Sequence, residues 1–227
     1  MDILQKSQNF QKIYDLVKQK LSLLPKNLFY HGPHHTLEDV FPKTIELAVA
    51  EHCSPKQILL LGLAALFHDV GYLEQYDKNE PNGARIADEE IRKIFDIQKQ
   101  NSDIVKKNDD EDEFVLFEED IEEIKKIIMA TQLPQNPGDD LLCQIICDAD
   151  LGHLGTDLFF LRGEGLRLEL NAVKGFKISP RKWNEDNTKF LKNHKYFTKT
   201  AKETLGPKLI ENVKASCALL NIPEPTD

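Results

Sequence analysis

The residues of this chain with the most chemical potential are histidines and aspartates. Of seven histidines, His31, His34 and His35 fall within five positions, and His68 is followed directly by Asp69. A third group, Asp148-Ala149-Asp150, comes at the end of the apolar string LLCQIIC. Neutral imidazole beside carboxylate is a ligand set suited to divalent metals of intermediate hardness. An ionised carboxylate at the end of an apolar stretch is costly to bury unless it is paired or coordinates a metal. Taken singly, each histidine reads as an ordinary core or surface residue, and Asp148 as a helix cap. Three polar groups, each delivered by an apolar element, read together as one metal site. They lie too far apart in sequence for a local motif such as HExxH, so only facing helices of a bundle can assemble them.

The elements that must do this are legible as helices. The chain has 227 residues with 29 Lys plus Arg against 38 Asp plus Glu, a net charge of −9, and is 41% hydrophobic. That fits one globular domain (1–227) and excludes disordered and fibrous classes. Helical periodicity dominates, which predicts an all-α single-domain helical bundle. A first helix is expected over 3–23, ending at Pro25, and a second from the 30–35 turn to about Cys53. Ser54-Pro55 is an N-cap followed by proline at the first helical position. The helix it opens, ILLLGLAALFHDV, is apolar on every side and should be central, with Gly71 suited to a left-handed C-terminal cap. An amphipathic helix is expected over 84–100. The string LLCQIICDADLGHLG starts another helix after a Pro/Gly loop.

Charge is unevenly placed. Residues 109–123 hold ten acids and no base, and read as part of a solvated surface insert at about 101–120. Without those acids the balance is 29 against 28. Residues 162–214 carry 13 bases against 6 acids, which leaves room for a neutral to basic cleft. The overall acidity disfavours sequence-independent nucleic-acid binding. The longest apolar run, Ile58 to Phe67, is short of the roughly 20 residues that span a bilayer. With no apolar leader at the start, the chain is expected in the cytoplasm and away from membranes. Cys143 and Cys147 read as reduced core thiols.

The strings Tyr30-His31-Gly32-Pro33-His34-His35, Ala64-Ala65-Leu66-Phe67-His68-Asp69-Val70-Gly71-Tyr72 and Cys147-Asp148-Ala149-Asp150-Leu151 together resemble the signature of the HD-domain superfamily of metal-dependent phosphohydrolases. The resemblance covers about residues 28–155, with 156–227 as a helical extension. It implies an HD-type bundle in which His35, His68, Asp69 and Asp150 ligate one divalent ion, with Asp148 as the alternative to Asp150. His31, four residues before His35, is placed like the acid histidine of the YHNxxH string in cyclic-nucleotide phosphodiesterases, although Gly32 stands where that string has Asn. His31 and Asp69 are the implied catalytic residues, Asp69 doubling as a ligand. Four protein ligands leave open positions only on a five- or six-coordinate ion, which favours manganese, iron, cobalt, nickel or magnesium over zinc.

The expected activity is hydrolysis of a small phosphoester, such as a nucleotide, by a metal-activated water. Cyclic-nucleotide or dinucleotide phosphodiesterase activity and a non-enzymatic metal-bearing sensor are the alternatives. His34 suits a proton donor or a surface residue equally. Lys78, Arg85, Arg162, Arg167 and Arg181 are candidate phosphate partners. Asn79-Glu80 could form a polar wall or a turn. Trp183, Phe190, Tyr196 and Phe197 are candidates for stacking on a base or for the core.

Overall fold

A computed structural model of the chain describes residues 2–98 and 114–223. Among them, helices α1 (Asp2–Lys6), α2 (Gln8–Ser22), α3 (Phe41–Ala50), α4 (Pro55–Phe67), α5 (Glu80–Ile94), α6 (Glu118–Met129), α7 (Leu141–Asp150), α8 (Phe159–Lys174), α9 (Pro180–Asn193), α10 (Lys199–Thr204) and α11 (Gly206–Leu220) make an all-α single domain. The expected first helix is two. Ser7 interrupts it by turning its side chain onto the backbone N–H of Phe10, which caps α2.

Helix α4 is central, as its composition requires. Ser54 and Gln57 form a capping box with Pro55 behind it, and every residue from Ile58 to Phe67 is buried. Helices α2, α3, α5, α6 and α7 pack around it. Residues 55–73 are apolar and long enough to span a bilayer by composition, yet most of that stretch is buried inside the domain.

Three local features depart from the sequence expectation. Gly71 does not adopt a left-handed cap. It lies in a 3-10 turn, Val70–Leu73, where an added Cβ would stand 2.0 Å from the carbonyl oxygen of Asn79. Glycine there lets the turn after His68-Asp69 press against the start of α5. Second, α5 begins at Glu80, with Pro81 in its first turn, and ends at Ile94 because Phe95 turns extended. Third, Ile97–Gln98 pairs in parallel with Leu116–Phe117, so a two-residue strand pair stands where a helix end and a loop were expected. Residues 99–113, including most of the acidic insert, lie outside the described residues. The part that is described is not simply a solvated loop. Leu116 is buried, and Glu118, Glu119 and Asp120 occupy the first turn of α6, where the helix dipole favours acids.

Helix α3 is preceded by one wide π-helical turn, His35–Val40. Helices α8 to α11 form the C-terminal third. They meet the rest through the 3-10 turn Gly152–Gly155, against which α8 and α11 pack, and through contact of α10 with α3.

Candidate metal centre

His35, His68 and Asp150 converge on one point, and Asp69 lies beside the two histidines. His35 begins the π turn, His68 and Asp69 follow the last residue of α4, and Asp150 ends α7. His35 Nε2 lies 3.2 Å from Asp150 Oδ1 and 3.7 Å from Asp69 Oδ2. His68 Nε2 lies 3.3 Å from Asp69 Oδ2 and 3.8 Å from Asp150 Oδ1. One ligand atom from each of His35, His68 and Asp150 falls within 4.8 Å of the others.

One ring nitrogen of His68 is fixed as metal ligation requires. His68 Nδ1 donates to the carbonyl oxygen of Ala65 at 2.7 Å, which leaves Nε2 facing the cluster. His68 Nε2 and Asp69 Oδ2 are buried without a hydrogen-bond partner among the described residues, a costly arrangement for polar atoms. Burial works against a charge on His68, but Asp69 and Asp150 outweigh it and raise its pKa to about 9. Asp69 is held well below the carboxylate range: burial opposes this, and His68, His31 and His35 overcome it. The cluster therefore attracts cations. Gln135 donates to Asp150 Oδ2 at 3.1 Å and orients that carboxylate.

Asp148 is not part of this centre. Two residues apart on a helix means about 200° of rotation, so Asp148 points away, accepting from the backbone N–H groups of Phe197 and Thr198 at 2.8 Å each and from the Thr198 hydroxyl at 2.7 Å. Of the two aspartates, only Asp150 faces the histidines.

His31 stands beside the cluster, its ring 4.4 Å from that of Tyr72 between centroids. Its Nδ1 donates to Glu169 Oε1 at 2.5 Å, while Glu169 Oε2 accepts from the backbone N–H groups of Tyr30 and His31 at 2.8 and 3.0 Å. The Tyr76 hydroxyl also donates to Glu169 at 2.8 Å. Burial disfavours the imidazolium of His31, yet the bond to Glu169 and the charges of Asp69, Glu169 and Asp150 raise its pKa. Glu169 itself is fully buried. It was not visible in the sequence, because its partner lies in the turn before His35, far away in the chain. The signal that could have marked it is an acid between Leu168 and Leu170 in the string RLEL. His153, also unforeseen, accepts from or donates to the Tyr30 hydroxyl at 3.1 Å. Burial lowers its pKa to about 3, so it is neutral.

A cavity of about 650 Å³ opens over the centre, within the range of small-molecule sites. Asp69, Asp150, His31 and His153 lie at one part of its wall, and Trp183, Asn187 and Phe190 of α9 also line it. Of the candidate phosphate partners only Lys78 lines it. Arg162 is paired with Asp39, Arg85 with Glu74 and Glu89, Arg167 with Glu164, and Arg181 with Glu185. The neutral to basic cleft expected from the C-terminal charge is therefore not formed: among the described residues five carboxylates and one lysine line the cavity, while the bases of the C-terminal helices face elsewhere or pair locally. Asn79 is buried, and Glu80 accepts a 3.4 Å bond from Gln132 at the cavity wall. Tyr196 and Phe197 belong to the packed interior. His34 is not among the cavity residues; it is half-buried, with a pKa lowered first by burial and then by Arg162.

No protein-family model matches this chain. No curated protein is significantly similar to it, and no solved structure matches it either.

Proposed function

We propose that the chain is a metal-dependent phosphohydrolase of the HD-domain type, acting on a phosphoester of a small molecule. The observation that supports it most is the convergence of His35, His68, Asp69 and Asp150, with His68 Nε2 and Asp69 Oδ2 buried and facing no hydrogen-bond partner. These four residues would hold one divalent ion, of the manganese, iron, cobalt, nickel or magnesium type. When bound, such an ion supplies a water of lowered pKa and neutralises charge on the phosphoryl oxygens.

The chain's own groups do the rest. Glu169 holds His31 through Nδ1, so the other ring nitrogen is the one available to the cavity that His31 lines. A histidine whose protonated form is favoured in this way suits donation to a departing alkoxide oxygen. Tyr72 packs against the same ring at a 31° tilt and Tyr76 holds Glu169, which together fix its orientation. Lys78 offers the cavity's cationic contact to the phosphoryl group.

The test is metal analysis of the purified chain coupled to a phosphoester panel that includes monoesters and cyclic diesters. Phosphate release should require added or bound divalent metal. His31→Asn should lower kcat by roughly 10²–10⁴-fold, the usual worth of a general acid, without removing the metal. Full activity in His68→Ala or Asp69→Ala overturns the proposal.

A further inference from the structure

The cavity has a second end whose chemistry differs from that of the metal centre. Helix α9 presents Trp183, Asn187 and Phe190 to it, at intervals of four and three residues that place them on one helix face. The Trp183 indole rests against α8 at Gly163, where an added Cβ would come within 3.5 Å of the indole nitrogen and 3.0 Å of the Asn187 amide nitrogen. A side chain at 163 would therefore crowd both. Phe190 is backed by His194, ring planes 23° apart and centroids 6.1 Å apart. Trp183 is half-buried and Phe190 is 41% exposed, so neither is consumed by the interior. Two aromatic faces with a side-chain amide between them match a flat heteroaromatic ring, which stacks on the faces and hydrogen-bonds to the amide.

The electrostatics of the cavity limit what such a ring can be attached to. Lys78 is the one Lys or Arg among the lining residues. It is held at φ 55°, a left-handed conformation that a lysine adopts only at a cost. It lies between Asp77, which pairs with Lys174, and buried Asn79. Glu80 and Asp186 add negative charge at the wall, Asp186 being paired with Lys182 at 2.8 Å. One free cation among the described residues, beside a divalent centre, can offset a single phosphoryl group. A di- or triphosphate would bring further anionic groups against carboxylates, with no second Lys or Arg among the described lining residues to meet them.

We propose that the α9 face is a ring-binding subsite and that the substrate carries one phosphoryl group on an alcohol bearing a flat heteroaromatic ring, as in a nucleoside monophosphate, with polyphosphates excluded by charge. The assignment rests on the phosphohydrolase reading for the position of the phosphoryl group, but the ring subsite is tested without turnover. Trp183 is the sole tryptophan, so its fluorescence reports occupancy of that end directly. The full chain is titrated in chelating buffer with adenosine, guanosine, cytidine and uridine monophosphates, with the matching triphosphates, and with ribose 5-phosphate, and then again with Mn²⁺.

At least one monophosphate should quench Trp183 and bind tenfold or more tighter than its triphosphate and than ribose 5-phosphate. Phe190→Ala and Asn187→Leu, both at the cavity surface, should each weaken that monophosphate fivefold or more. Lys78→Met should weaken the monophosphate but leave the free nucleoside unchanged. Equal binding of ribose 5-phosphate, equal binding of the triphosphate, or no quenching by any nucleotide overturns the subsite. Metal binding measured on the same preparations by thermal shift separates this failure from failure of the metal-centre reading: metal bound with no ring preference sinks only the subsite, whereas ring binding with no metal sinks only the hydrolase.

Discussion

Replacing His68 with alanine tests the metal centre at its most committed residue. His68 is buried, its Nδ1 proton is donated to Ala65, and its Nε2 faces Asp69 and Asp150. A ligand that binds only the folded chain stabilises it by about 2.7 kcal/mol at a hundredfold excess over its dissociation constant. Spread over 227 residues at about 2.1 cal/mol/K each, the unfolding entropy is about 0.5 kcal/mol/K. Saturating Mn²⁺ should therefore raise the Tm of the native chain by about 6 °C. In His68→Ala the shift should fall below about 2 °C, because losing one of the proposed ligands moves the dissociation constant above the metal concentration used. The assay is a melting curve followed by circular dichroism, with and without metal. Glu46→Gln, which alters an exposed carboxylate paired with Lys43, serves as the control that leaves His35, His68, Asp69 and Asp150 untouched. A shift of full size in His68→Ala refutes the assignment. So does the absence of any shift in the native chain with Mn²⁺, Fe²⁺, Co²⁺, Ni²⁺ and Mg²⁺.

Asp148→Ala should cost roughly 3 kcal/mol or more in urea denaturation, because it strands the buried N–H of Thr198 and the half-buried N–H of Phe197. The folded fraction should still bind metal, though more weakly where Asp150 is freed to move; complete loss of metal binding would place Asp148 in the centre after all. His194 carries a prediction in pH. Burial lowers its pKa to about 4, from 6.5, and its Nε2 has no hydrogen-bond partner among the described residues. The folded chain thus refuses a proton that the unfolded chain accepts, so stability is lost as pH falls from 6.5 towards 4, by at most about 3 kcal/mol. His194→Gln should flatten that part of the stability curve while leaving it unchanged above pH 7, and an unchanged acid limb would show that His194 titrates normally.

What could be read in the sequence follows from what is local. Helix α4 is legible because uniform apolarity has one structural solution, burial on all sides, and because Ser54-Pro55 is a start signal contained in two residues. His35, His68 and Asp150 are legible because each interrupts or closes an apolar pattern. Glu169 is not, since its use depends on where α8 crosses the 30–31 turn, a tertiary fact. The break at Ser7 and the early end of α5 at Ile94 are decided by single hydrogen bonds and backbone angles that periodicity does not resolve. Charge misled in a different way. Thirteen bases in residues 162–214 say nothing about direction, and in the fold Arg162, Arg167, Lys174, Arg181 and Lys182 are each paired with an acid.

The C-terminal third is accordingly part of the site and not an appendage to it. It supplies Glu169, the buried carboxylate that holds His31, and the α9 face that closes the far end of the cavity. The helix that joins it to the centre is α7, through two aspartates on opposite sides: Asp150 faces His35 and His68, while Asp148 takes the N–H groups at the start of α10. Any shift of α7 that repositions Asp150 must therefore strain three hydrogen bonds to residues 197 and 198, and any loosening of the C-terminal helices frees Asp150 to move. The alternation Asp-Ala-Asp works because a helix turns about 100° per residue, so that a spacing of two sends one carboxylate to the centre and the other to the scaffold that keeps the first in place.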